Sequence, residues 1–264
     1  MIQFNFNRFG KLAKWSLTKD KRYFVKSFLQ MLVVMLLLFL FFTEMVNTNE
    51  VPNPNYKACG AIVILAFAIQ FVFGPSMMFY SMEGKHDMQT LMVLPASNFE
   101  KYLMRYSTWL IQLPLFVVAF FGADLMQYLY HWVLGHDYGR LVVSTLTDTM
   151  SEMFQNEMNS PNTSKFWTSF IVTGIWLHSV FALGATFFRS RKFNWVLSLL
   201  VIILIGILIL WLTPDNPALQ YGQKSTTLNF VLGNVIYIGL ILLNFWLSYR
   251  LFCRTQVIGK FVNL

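Results

Sequence analysis

Two histidines five residues apart, His131 and His136, stand beside Asp137. Imidazole nitrogens and carboxylate oxygens are the usual ligands of zinc and related cations. Spacing of this kind also arises by chance, so the sequence alone assigns no metal site. Two carboxylates, Glu44 and Asp124, interrupt long apolar runs. Asp124 lies 17 residues into its run, about 26 Å along a helix. It is therefore expected near the far interface as a partly solvated carboxylate, and Glu44 is read the same way. His178, in the middle of another apolar run, is expected to bond to a neighbouring helix.

The signatures of hydrolytic chemistry are missing from the sequence: there is no G-x-S-x-G and no H-E-x-x-H. Nor is there a phosphate-binding G-x-x-x-x-G-K-[ST]; Gly84-Lys85 is followed by His86 and lacks the leading glycine. The chain is not expected to be an enzyme. No catalytic, cofactor-binding or metal residue is assigned.

The elements that carry these residues follow from hydropathy. The 264 residues are 56% hydrophobic and 12% charged, with a mean hydropathy of +0.53. A soluble domain carries about 25% charged residues, so this chain has too few polar groups to cover its own surface in water. A bilayer core of about 30 Å needs roughly 20 apolar residues as a helix. Six runs qualify: 28–46, 58–80, 107–130, 166–188, 193–212 and 228–249. They must be helical, because lipid cannot satisfy backbone donors and acceptors. The expected fold is an all-α membrane protein, one transmembrane domain over residues 1–264.

Basic residues set the orientation. With the N-terminus inside, sixteen of the 20 lysines and arginines fall on inner segments; only Lys57, Arg140, Lys165 and Lys224 fall outside. This positive-inside bias places both ends in the cytoplasm of an inner (cytoplasmic) membrane. It also accounts for the net charge of +8 without nucleic acid as a partner. The first run follows a long basic lead and is read as a retained anchor, not a cleaved leader. Residues 1–27 interleave Phe9, Leu12, Leu17 and Phe24 with lysine and arginine, the pattern of an amphipathic helix on the inner leaflet. Residues 131–165 form an external loop. Within it Leu141, Val142, Leu146, Met150 and Phe154 recur at helical steps, predicting a short surface helix. Cys59 and Cys253 fall on opposite sides, so no disulfide is expected. Pro114 is expected to bend the third run. Gly174, Gly184, Gly233 and Gly239 are candidates for close helix packing.

The segment 82–106, MEGKHDMQTLMVLPASNFEKYLMRY, faces the cytoplasm in this topology. A short helix around Met88–Leu94 must break at Pro95. Ser97 and Glu100 then form a capping box for the next helix, which runs through Arg105 into the third span. The result is a helix–break–helix joined to two spans.

At these residues the chain resembles the export-type (type-2) permeases of ABC transporters. Their pattern is an acidic residue after the second span, leucine-proline-x-serine, and a lysine about ten residues past the proline. The matching positions are Glu83, Leu94-Pro95-Ala96-Ser97 and Arg105, with Glu100 fitting an acidic preference. Asn98 stands where an arginine is frequent, Arg105 replaces the lysine, and Gln89-Thr90 stands where glycine–threonine is frequent. The resemblance implies that Glu83, Thr90, Pro95, Ser97, Glu100 and Arg105 couple the chain to a separate cytoplasmic ATPase subunit. It also implies pairing with a second permease copy, identical or paralogous. On the residues alone, a non-transporting membrane anchor and an intramembrane metal-dependent enzyme remain open alternatives.

Overall fold

The computed structural model describes residues 4–45, 55–82, 87–136, 139–158, 163–188, 193–212 and 227–254. Glu83, Asp137, Pro214 and Pro217 lie outside them. Among the described residues the elements are helices: α1 (Phe6–Lys19), α2 (Lys21–Leu40), α3 (Tyr56–Phe73), α4 (Asp87–Val93), α5 (Asn98–Val133), α6 (Val142–Met158), α7 (Thr163–Phe187), α8 (Asn194–Leu212) and α9 (Thr227–Cys253). A π-helical turn, Phe41–Met45, continues α2, and a 3₁₀ turn, Gly74–Met77, continues α3.

Five of these helical stretches are long and apolar enough to cross a membrane: Lys21–Glu44, Tyr56–Met77, Asn98–Val133, Ser164–Phe187 and Phe230–Cys253. The described side chains of α8, Asn194–Leu208, form a shorter apolar stretch. The architecture is that of an all-α membrane protein, and α7, α8 and α9 follow their apolar runs to within four residues. Exposed Leu37, Leu65, Val118, Ile203 and Ile236 present the surface that lipid must cover. At 36 residues, α5 is about 54 Å long. It exceeds the thickness of a bilayer core.

One expectation changes. The amphipathic helix does not run to residue 27. α1 ends at Lys19, a turn forms at Asp20, and residues 21–27 begin the same helix as the first span. Asp20 is buried, and Ser16 Oγ donates to its carboxylate at 3.1 Å. Pro114 lies inside α5, which continues on both sides of it.

The chain divides into two compact units. One comprises Trp15–Phe71 and Leu110–Thr163. Its core is Met35, Phe39, Tyr56, Cys59, Val63, Phe116, Phe120, Ala123 and Val142, so α6 joins α2, α3 and α5 around one apolar centre. The other comprises Met1–Lys14, Val72–Trp109 and Ser164–Leu264. Here polar groups tie the apolar helices together, since each must be satisfied away from water. Tyr102 Oη donates to Ser248 Oγ at 3.0 Å, and Ser248 Oγ donates to the Ala182 carbonyl at 3.1 Å. Asn244 Nδ2 donates to Ser179 Oγ at 3.0 Å. His178 does bond across helices, with Nε2 2.6 Å from Tyr106 Oη. Gly184 is the packing glycine: a Cβ there would lie 1.8 Å from Ser198 Oγ. Gly174, Gly233 and Gly239 meet nothing within 4 Å.

Candidate functional site

Two polar constellations stand out, one in each unit. The first is the segment leading into α5. α4 stops at Val93, residues 94–96 bend, and α5 starts at Asn98. Pro95 explains the break, and the capping box forms in both directions. Ser97 Oγ accepts from Glu100 N at 3.2 Å, and Glu100 Oε2 accepts from Ser97 N at 2.9 Å. Lys101, which the sequence reading passed over, closes the bend by donating from Nζ to the Met92 carbonyl at 2.7 Å.

Glu100 is fully buried. Beyond the cap, its Oε1 accepts from Asn5 N at 2.7 Å, and Arg8 grips both oxygens at 2.8 and 2.6 Å. Asn5 in turn caps α1, accepting on Oδ1 from Asn7 N at 2.9 Å. The hydrogen-bonded Arg8 guanidinium, helped by the two backbone donors and opposed by burial, holds the Glu100 carboxyl down at about 2. Bidentate geometry with an extra pair of N–H donors is the strong form of a carboxylate–guanidinium contact. Arg105 is buried too, and its Nε and Nη2 donate to the Met78 carbonyl at 3.0 and 2.7 Å, with Ser81 Oγ also bound. Glu100 and Arg105 therefore face inward. Thr90, Val93 and Pro95 are exposed, and Ser97 is half-buried. Glu83 lies outside the described residues.

The second constellation gathers where α2 and α5 end and α3 begins. Asp124 is not a partly solvated carboxylate. It is buried, and its two oxygens accept from Val142 N at 2.6 Å and Val143 N at 3.0 Å. It caps α6 from across the unit, meeting donors that a helix start leaves unpaired. Tyr56 Oη accepts from Gln127 Nε2 at 3.2 Å and from Arg140 N at 3.0 Å.

Beside them, the end of α5 folds back on itself. Gly135 has φ +71°, the left-handed conformation suited to glycine. Gly135 N donates to the Trp132 carbonyl at 3.2 Å and His136 N to the His131 carbonyl at 3.0 Å, which is a Schellman motif. The fold-back lays His136 against His131, their Nδ1 atoms 3.2 Å apart. Glu44, on the π-helical turn after α2, completes the group. Its Oε1 lies 3.2 Å from His131 Nδ1 and 3.5 Å from His136 Nδ1. His131 is fully buried, while Glu44 and His136 keep partial exposure. The sequence reading paired the histidines with Asp137 and missed Glu44. The start of the fold-back was legible in Gly135. The partner from α2 was not, because it comes from 87 residues away.

Both cysteines are free thiols, Cys59 buried and Cys253 exposed. Comparison with protein-family models, with characterised proteins and with solved structures found no significant match.

Proposed function

We propose that the chain is the membrane-spanning permease subunit of an ABC transporter, acting in export. In this reading α8 is the sixth span, both termini are cytoplasmic, and α4 is the coupling helix. A separate ATPase subunit supplies ATP hydrolysis, and a second permease copy completes the pathway. The observation that carries the proposal is the construction of residues 87–105. A short helix offers Thr90, Val93 and Pro95 outward, while Lys101, Glu100 and Arg105 tie its base to α1, to α5 and to the turn after α3. Such a segment transmits a push on its exposed face as a rigid-body displacement, since its inner side has no slack. Thr90, Pro95 and Ser97 then form or shape the docking face, and Glu100 and Arg105 act as internal levers, not contacts.

The test is purification of the chain from its native membrane in mild detergent, identification of the subunits that come with it, and an ATPase assay. Wild type is expected to bring the ATPase down. Thr90→Arg and Pro95→Ala are expected to reduce that association about tenfold while leaving the permease folded, a loss of roughly 1.4 kcal/mol. Absence of any nucleotide-hydrolysing subunit from the wild-type complex contradicts the proposal. A bound partner that is indifferent to ATP points to a membrane anchor.

A further inference from the structure

Glu44 Oε1, His131 Nδ1 and His136 Nδ1 form a nearly equilateral triangle with edges of 3.2, 3.5 and 3.2 Å. Three ligands of a tetrahedral zinc ion at 2.0–2.1 Å stand about 3.3 Å from one another. The triangle therefore has the dimensions of one face of a zinc tetrahedron, before any ion is considered.

The protonation pattern favours a cation over a hydrogen-bonded cluster. Thr43 Oγ1 has one proton and donates it to the Phe39 carbonyl at 2.8 Å. It can then only accept from His131 Nε2, 3.1 Å away. With the hydroxyl so placed, His131 donates from Nε2, and its Nδ1, 3.2 Å from both Glu44 Oε1 and His136 Nδ1, is the unprotonated nitrogen. The arrangement is the outer-shell contact that metal-binding histidines commonly make. Glu44 Oε1 is buried and accepts no hydrogen bond. In the neutral state at most one proton, on His136 Nδ1, is available to three converging acceptor atoms. One divalent cation satisfies all three at once.

We propose that Glu44, His131 and His136 bind one Zn²⁺, with the fourth tetrahedral position open. The inference stands apart from the permease reading, because its residues belong to a unit that contains none of the coupling positions. Three protein ligands and an open corner are the stoichiometry of zinc sites that bind water or an exogenous ligand, not of closed structural sites. Access fits, because His136 and Glu44 are partly exposed while His131 anchors the site from within. The ion would clasp the π-helical turn after α2 to the fold-back after α5.

The experiment uses the full chain in detergent, stripped with a chelator and titrated with Zn²⁺ against a chromophoric competitor. Wild type is expected to take up one Zn²⁺ per chain. His136→Ala and Glu44→Ala are expected to weaken binding at least a hundredfold. Thr43→Val, which removes only the outer-shell contact, is expected to cost about 10–100-fold, and Thr43→Ser to restore it. His86→Ala controls for adventitious histidine binding and is expected to match wild type. Titration with Co²⁺ reads the geometry without any variant: intense visible absorption marks a tetrahedral site. Failure of wild type to hold Zn²⁺, unchanged affinity in both His136→Ala and Glu44→Ala, or a weak octahedral Co²⁺ spectrum each overturns the site.

Discussion

The two polar constellations solve the same problem in opposite ways. Around Glu100, each carboxylate oxygen meets a donor: the Arg8 guanidinium on both sides, plus Asn5 N and Ser97 N. Asp124 is matched just as fully by Val142 N and Val143 N. Around Glu44 the count runs the other way, with three acceptor atoms converging and few protons to share. A matched carboxylate is a fastener, because removing it strands its donors. A gathering of lone pairs is a receptor, because something electron-poor must complete it. Burial alone does not separate the two, since Glu100, Asp124 and His131 are all buried.

The comparison can be broken by substitution, beginning with the fasteners. Arg105→Ala should be the most damaging, costing about 3 kcal/mol or more through the cavity and the stranded Met78 carbonyl. Thermal unfolding in detergent reads it. Asp124→Ala removes an N-cap and should cost about 2 kcal/mol at most, with loss of protease resistance first at α6. Ser97→Ala loses half of the capping box and should cost about 1 kcal/mol, read in the same unfolding assay. His136→Ala should leave metal-free stability near wild type, because a receptor side chain at the surface fastens little. A large loss of stability in that variant without metal would merge the two classes and end the distinction.

Acid sharpens it further. The Glu100 carboxyl is depressed in the folded chain, from 4.5 to about 2. A depressed carboxyl stabilises above its unfolded value and loses that contribution as pH falls through its folded one. The tether of α1 should thus hold at pH 5 and loosen between about pH 4.5 and 2. Hydrogen exchange at the α1 amides measures this, and Glu100→Gln should show the loosened exchange already at pH 7. Exchange that is indifferent to pH and to the substitution means that Arg8 and Glu100 do not hold α1.

Much of the fold was legible because lipid imposes a strict rule on sequence. Apolar runs of span length must be helices, so the boundaries of α7 and α9 follow the hydropathy within a few residues. The capping box of Ser97 and Glu100 was legible because it is local, with a spacing fixed by one helical turn. What escaped was long-range polar matching. Nothing near Glu100 in sequence announces Arg8, 92 positions away. Nothing beside Asp124 announces that the first amides of α6 return to it. The break at Asp20 was hidden because no glycine or proline marks it and the basic pattern continues past it. The inward orientation of Arg105 escaped for a related reason: an arginine near a membrane surface reads as a surface charge unless its partners, here the Met78 carbonyl and Ser81, are visible.

The central claim is that the segment presenting Thr90 and Pro95 lies in the cytoplasm and receives force from an ATPase. Thiol labelling tests it most directly. Thr90→Cys and His136→Cys are placed separately in a Cys59→Ser, Cys253→Ser background and treated with a membrane-impermeant maleimide. The account expects Cys at position 90 to react only in inside-out vesicles, with protection when the ATPase subunit is bound, and Cys at position 136 only in right-side-out vesicles. Reaction of position 90 in right-side-out vesicles contradicts the orientation, and the motor and the transport role fail with it.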